Sequence, residues 1–138
     1  KKMREMGMNQ PVIGSNGFNS PEFIKIAGAA ADGVIVGTPW FPNKEDQKVK
    51  DFRKAYKDKY GKEPDQFAAQ AYDAVYLYEA ALKKAGSTTD REKFRDALKN
   101  IADFVGVTGQ FKFNEKRDPS MEVQVLQIKN GQFDALKK

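Results

Sequence analysis

The fold is decided by residues 11–38, which read PVIGSNGFNSPEFIKIAGAAADGVIVGT. Residues 11–15 form a short apolar segment that predicts a strand, and Ser20 followed by Pro21 is a typical start for a helix over residues 22–27. Residues 33–38 are a continuous apolar run rich in β-branched residues, which suits a parallel strand covered on both faces. Strand, helix and strand in this order form one βαβ unit, so the sequence predicts an α/β fold.

Three further helices are predicted downstream. Asn43, with Asp46 three residues later, resembles a capping box and predicts a helix start at that point. Residues 65–85 predict a long helix that is apolar around most of its circumference, which indicates enclosure by other elements. Thr89 with Glu92 forms a second capping box in front of a regular apolar period. The long helix needs more partners than this chain supplies, which predicts that the chain is a piece of a longer protein.

After residue 103 the apolar period changes from helical to alternating. Residues 105–113 and 121–125 each show this alternation on either side of a turn, and they predict a pair of antiparallel strands. Asn130-Gly131 is a strong signal for a two-residue hairpin turn near the end of the chain.

Composition excludes several kinds of chemistry. The 138 residues contain no cysteine and no histidine, so disulfides, thiolate metal sites, cysteine nucleophiles and histidine bases are absent. We therefore expect a binding protein without a metal or cofactor rather than an enzyme.

The charge of the chain does not indicate nucleic-acid binding. The net charge is +5, but acidic residues are interleaved with the basic ones along residues 44–62. Mixed signs at helical spacing indicate a solvated helix face, and no nucleic-acid partner is expected.

Candidate binding residues follow the two predicted strands, because ligands of open α/β sheets collect beyond the carboxyl ends of strands. Asn16 and Gly17 follow the first strand, where an amide and an unobstructed backbone could meet a ligand, although a simple turn explains them as well. Trp40 follows the second strand and could wall a pocket or be buried packing. Phe67 opens the long helix, with core packing as the alternative. Asp73, within that helix, predicts a structural hydrogen bond rather than catalysis.

The chain resembles a known family through an ordered set of motifs. These are PVIGSNGF (residues 11–18), IAGAAADGV (26–34), FAAQAYDAV (67–75), GVTG (106–109) and Asp118-Pro119. In this order and spacing they are similar to the C-terminal part of leucine/isoleucine/valine-type solute-binding proteins of ABC importers. The resemblance implies a type I periplasmic-binding-protein fold, with two Rossmann-like lobes and three crossovers, of which only the C-terminal part is present.

The resemblance also implies domains and site residues. Residues 1–40 would be a βαβ segment of the second lobe, residues 41–117 a helical segment and strand of the first lobe, and residues 118–138 strands returning towards the second lobe. Asn16 falls where amino-acid-binding members usually place an acidic residue against the ligand's ammonium, Gly17 matches the neighbouring glycine, and Phe67 matches an aromatic at the ligand's apolar side chain.

The implied role is capture of a small amino acid or related carboxylate outside the cytoplasm for delivery to a membrane permease. Because Asn16 lacks the usual negative charge, small carboxylates and amides are candidate ligands in addition to amino acids. A sensory ligand-binding domain of the same fold is the alternative, and a carboxylate-dependent enzyme is a third reading. Within this stretch we find no export signal and no apolar run that could span a bilayer. We also expect the isolated chain to self-associate or exchange elements with a second copy.

Overall fold

The computed structural model describes residues 1–136 as five α-helices, two short 3-10 helices and seven strands. The helices are α1 (Lys2–Glu5), α2 (Pro21–Ala27), α3 (Gln47–Tyr60), α4 (Gln66–Ala85) and α5 (Arg91–Lys99), with 3-10 helices at Asn16–Phe18 and Gly28–Ala31. The strands are β1 (Ile13–Gly14), β2 (Ile35–Thr38), β3 (Phe104–Gly106), β4 (Gly109–Phe113), β5 (Pro119–Met121), β6 (Gln124–Lys129) and β7 (Gln132–Ala135).

The chain divides into two compact units. Unit 1 consists of Lys1–Lys44 and the chain from Val123 onward, and unit 2 consists of Glu45–Glu122. The first unit holds a sheet with the strand order β1-β2-β6-β7, and the second holds a sheet with the order β3-β4-β5. Neither sheet therefore mixes strands from both units.

The sheet of unit 1 confirms the predicted βαβ unit. β1 and β2 pair in parallel, with Ile13 opposite Ile35, and α2 connects them. β6 then pairs antiparallel with β2, so the sheet is mixed rather than purely parallel. Along β2 fully buried residues alternate with half-buried ones and none is exposed, so one face is covered completely and the other in part. The Asn130-Gly131 hairpin joins β6 to β7 as predicted.

Unit 1 has its own core. Val36 and Ile128 are completely buried, together with Ala31 and Val34. Side chains from α2 and β7 pack around them, together with Val12 before β1 and Phe18 after it. The start of α2 is also as predicted, since the Ser20 hydroxyl accepts a hydrogen bond from the Glu22 amide at 3.2 Å. Local signals thus agree with the tertiary packing in this unit.

Both predicted capping boxes are wrong by a few residues. α3 begins at Gln47 and its N-cap is Asp46, whose carboxylate accepts from the Lys48 amide at 2.8 Å, so Asn43 does not cap this helix. α5 begins at Arg91 because Asp90 accepts from the amides of Glu92 and Lys93 at 3.1 and 3.0 Å. In each case a carboxylate lay between the predicted cap and the helix, and charged acceptors make the stronger hydrogen bonds.

Each of the two strands predicted after residue 103 is in fact two strands. Residues 105–113 contain β3 and β4, which pair antiparallel with Gly106 opposite Gly109. The alternation over residues 121–125 runs through a break, because β5 pairs with β4 in unit 2 whereas β6 pairs with β2 in unit 1. The predicted antiparallel pairing across the turn is confirmed for β4 and β5, with Phe111 opposite Met121. Within residues 1–136, no helix combines the length and apolar character needed to cross a bilayer.

Candidate functional site

The turn after β1 is tied to the chain that leaves β2. The Asn19 side-chain amide donates to the Thr38 hydroxyl at 2.9 Å and to the Trp40 carbonyl at 2.8 Å. The Trp40 amide donates in turn to the same hydroxyl at 3.2 Å. All three residues are buried. The two strand ends chosen from the sequence therefore form one connected structure in unit 1, and Asn19 is the residue that joins them.

Asn16 presents a hydrogen-bond acceptor without a partner. It begins the 3-10 helix that follows β1, and its side-chain carbonyl is buried with no hydrogen bond to any residue in the described chain 1–136. A buried polar atom left unpaired costs about 1–3 kcal/mol. Such a carbonyl is chemically suited to accept a hydrogen bond from a donor that is not among the described residues.

Gly17 lies beside this carbonyl and is exposed. A Cβ built at Gly17 meets no atom within 4 Å, so the backbone there is open to approach. The turn itself is held from the other side, because a Cβ at Gly14 would overlap the Phe18 ring and that ring stacks on Phe23 at 4.5 Å between centroids. Close packing at Gly14 and open space at Gly17 place the turn firmly while leaving its outer surface accessible.

Trp40 is almost completely buried, with 1% exposure. Its main chain takes part in the Asn19 connection described above. Burial agrees with the structural alternative given for this residue, whereas its contact with a ligand stays a prediction.

Phe67 is held at the first turn of α4. The Asp65 carboxylate caps that helix by accepting from the Ala68 amide at 2.8 Å, and the Phe67 side chain is 55% exposed. The preceding residue, Gln66, is buried, and its side-chain carbonyl has no hydrogen-bond partner among residues 1–136.

The four candidate binding residues are divided between the two units. Unit 1 contains Asn16, Gly17 and Trp40, and unit 2 contains Phe67. The role of all four in binding stays a prediction.

The buried carboxylate of Asp73 is fully used by the protein itself. One oxygen accepts from the Val107 amide at 2.8 Å, and the other accepts from the Thr108 amide and hydroxyl at 2.8 and 2.5 Å. A Cβ at Gly106 would overlap this carboxylate, so the strand can approach α4 only with glycine there. The predicted structural hydrogen bond is confirmed, and Asp73 holds the β3–β4 hairpin against α4.

A groove of about 470 Å³ lies in unit 2 between α3, α4 and β3. Lys48 bridges it by donating to the Val105 carbonyl at 2.9 Å. On its wall, a hydrogen bond with Tyr76, followed by burial and nearby negative charge, raises the pKa of Tyr72 to about 12. Tyr72 is therefore a neutral phenol at physiological pH.

The described residues offer no evident metal site. Residues 1–136 contain no group of three or more metal-ligating side chains.

Known proteins are similar to this chain over nearly all of its length. A family model described as periplasmic binding protein matches residues 1–132. A protein of Brucella abortus (strain 2308) called Leu/Ile/Val-binding protein homolog 1 is 32% identical over 127 residues, covering 91% of this chain but 33% of its own length.

Solved structures agree with that result. The leucine-binding protein LivK of Thermotoga maritima superposes with a TM-score of 0.87 at 33% identity, covering 99% of this chain and 39% of that one. The branched-chain amino acid transporter substrate-binding protein LivJ of Streptococcus pneumoniae, in complex with isoleucine, gives 0.83 at 34% identity and covers 97% and 38%. This chain thus spans about a third of the length of the curated relatives it matches.

Proposed function

The chain belongs to the periplasmic binding protein family and has the mixed α/β fold of its type I members, and from this premise we propose that it is the C-terminal part of a solute receptor for an ABC importer. The receptor captures a small amino acid or related carboxylate outside the cytoplasm and delivers it to a membrane permease. Similar proteins named for leucine, isoleucine and valine support this role. The family consists of substrate-binding proteins rather than enzymes, and the lack of catalysis by this chain is part of the proposal.

Two lobes would close on the ligand. In the proposal residues 1–40 and 118–138 serve the second lobe and residues 41–117 the first, and the chain's division into units 1 and 2 supports a two-lobed receptor. Closure removes the ligand from water, and the binding free energy offsets the cost of bringing the lobes together. The closed form is the one that the permease would recognise.

The observation that carries the proposal is the unpartnered carbonyl of Asn16 at the end of β1. In the proposed complex this oxygen accepts a hydrogen bond from the ligand's ammonium group, and the backbone at Gly17 approaches the ligand closely. Phe67 contacts the apolar side chain of the ligand, and Trp40 supports the strand end behind the site. Groups that hold the ligand's carboxylate would come from the remaining length of the receptor.

The neutral amide of Asn16 limits how much the ligand's ammonium group contributes to the binding free energy. A hydrogen bond in which one partner is charged is about twice as strong as one between neutral groups, and the pairing of ammonium with carboxylate is stronger than that of ammonium with amide. We therefore propose that this receptor relies on the ligand's carboxylate and apolar side chain more than on its ammonium. Small carboxylates and amides that lack an ammonium would lose less affinity here than in a receptor with an acidic residue.

A thermal-shift panel on the full-length receptor tests the proposal. Leucine, isoleucine, valine and matched carboxylates without the amino group, each at about 100 times its dissociation constant, would raise the unfolding free energy by about 2.7 kcal/mol. We expect stabilisation by at least one of these compounds. Failure of every amino acid and carboxylate in the panel would contradict the proposed function.

Self-association of the isolated chain is a separate proposal. It does not depend on the ligand, because it concerns apolar surface that remains exposed in this chain.

A further inference from the structure

The turn that carries Asn16 is too short to hold its own shape. Its 3-10 helix contains three residues and is closed by the Asn19 amide, which donates to the Asn16 carbonyl at 3.0 Å. A single turn of this kind is not stable by itself, because so few hydrogen bonds offset the cost of ordering its backbone. Gly17 adds further backbone freedom at its centre. The position of Asn16 therefore depends on the contacts that anchor the turn.

Two anchors hold the turn within unit 1, one apolar and one polar. The apolar anchor is the Phe18 ring, which stacks on a ring of α2 at 4.5 Å between centroids. The polar anchor is the Asn19 side chain, which is 3% exposed and donates to the Thr38 hydroxyl at 2.9 Å and the Trp40 carbonyl at 2.8 Å. Because the main chain of Asn19 is bonded to Asn16, this side chain links Asn16 to the end of β2.

The chemistry of the polar anchor requires a primary amide. The amide nitrogen of Asn19 carries two hydrogens, and the hydroxyl of Thr38 and the carbonyl of Trp40 accept one each. Aspartate has no hydrogen to donate at neutral pH, and serine has only one. Both acceptors belong to buried residues, so an acceptor that loses the amide does not gain bulk water in exchange. No other side chain of similar size can therefore make both bonds.

We propose that Asn19 is a positioning residue for solute binding, whose side-chain amide holds Asn16 and Gly17 at the end of β2 in the arrangement that receives the ligand. The inference rests on the proposed function, since it takes Asn16 and Gly17 as ligand contacts. A turn that is ordered before binding spares the ligand the cost of ordering it. If only about a tenth of the unliganded molecules held the turn in this arrangement, the apparent affinity would fall about 10-fold.

Hydrogen exchange on the full-length receptor without ligand tests whether Asn19 orders the turn. We expect Asn19→Ala to speed exchange of the Phe18 amide, which donates within the turn at 3.0 Å, by at least about 10-fold. The control is Ser20→Ala, which removes the hydroxyl that caps α2 but keeps the Asn19 side chain. It should speed exchange at the start of α2 and leave the Phe18 amide unchanged. Unchanged exchange of that amide in Asn19→Ala would overturn the proposal, whichever ligand the receptor takes.

Isothermal titration of the full-length receptor with each amino acid and carboxylate of the thermal-shift panel tests the effect on binding. We expect Asn19→Ala and Thr38→Val each to weaken binding at least about 10-fold, and the double variant to lose far less than the product of the two, because both remove the same hydrogen bond. Thr38→Ser keeps the hydroxyl and should recover most of the affinity that Thr38→Val loses. Ser20→Ala should bind within about 2-fold of the parent. Circular dichroism at the titration temperature shows which variants are folded.

The outcomes separate positioning from general destabilisation. Parent affinity in Asn19→Ala would overturn the proposal, and so would an equal loss of affinity in Ser20→Ala, since the loss would then follow stability rather than the turn. If Asn19→Ala does not fold, Thr38→Val and Thr38→Ser decide the question, and equal affinity in these two variants would overturn the proposal. Failure of the whole panel to bind the parent receptor would contradict the proposed function instead, and with it any role of Asn19 in binding.

Discussion

At the scale of single residues, the side chains that organise this chain act over long sequence distances. Asn19 reaches Thr38 and Trp40, and Asp73 reaches Val107 and Thr108. The sequence indicated that Asp73 needs a partner, because a carboxylate in an apolar helix is costly when unpaired. It gave no reason to choose Asn19, which looks like an ordinary turn residue until its partners are known. Long-range hydrogen bonds of this kind leave no local pattern in a sequence.

Asp73→Asn tests the buried carboxylate. The variant keeps the size of the side chain but turns one acceptor into a donor that faces a backbone amide, so we expect the unfolding free energy to fall by about 3 kcal/mol. Urea unfolding of residues 1–138 measures the loss. Asp103→Asn, at an exposed position, is the matched control and should change stability by less than about 0.5 kcal/mol. Equal stability of the two variants would show that the Asp73 hydrogen bonds are not needed.

The phenol of Tyr72 gives a prediction for alkaline pH. Its pKa is raised from 10.0 to about 12, chiefly by the hydrogen bond with Tyr76. A raised pKa favours the neutral phenol in the folded state, so this contribution to stability is complete below pH 10.0 and is lost as the pH rises through about 12. Tyrosinate absorbance followed against pH measures the ionisation of Tyr72. Tyr76→Phe should lower the pKa of Tyr72 towards 10.0, whereas Tyr60→Phe should leave the ionisation near pH 12 unchanged. If Tyr76→Phe also leaves the ionisation near pH 12 unchanged, the hydrogen bond with Tyr76 is not its cause.

At the scale of elements, helix starts depend on which of several neighbouring side chains reaches the free amides. α5 illustrates this, because Asp90 accepts from two amides while Thr89 is exposed. We expect Asp90→Ala to lower the unfolding free energy by about 1 kcal/mol and Thr89→Ala to lower it much less. Thermal unfolding followed by circular dichroism separates the two variants. A larger loss in Thr89→Ala would restore the capping box predicted from the sequence.

Elements with strong local signals were predictable, and elements defined by distant pairing were not. Ser20-Pro21 and Asn130-Gly131 carry their structural consequences in two adjacent residues, and both predictions are confirmed. The break between β5 and β6 was missed because alternation continues through residues 119–125 and does not encode which sheet a strand joins. The candidate site was predictable only as two strand ends, since the unpartnered Asn16 carbonyl is visible only once its surroundings are known.

At the scale of the whole molecule, the chain belongs to the periplasmic binding protein family and spans about a third of the length of its curated relatives. Two features of the described chain agree with a receptor that is completed by further protein. One is the exposed apolar side of α4, which includes Phe67, Val75 and Tyr78, and the other is the pair of buried side-chain carbonyls, on Asn16 and Gln66, that have no hydrogen-bond partner within residues 1–136.

The central claim is that Asn16 faces the ammonium group of an amino acid, and isothermal titration of isoleucine into the full-length receptor tests it most directly. We predict that Asn16→Ala weakens binding at least about 10-fold and that Asn16→Asp, which restores a charged acceptor, tightens it by a similar factor. Asn114→Ala, in the turn between β4 and β5, is the control and should leave the affinity unchanged. Equal isoleucine affinity in the parent receptor and both Asn16 variants would contradict the account.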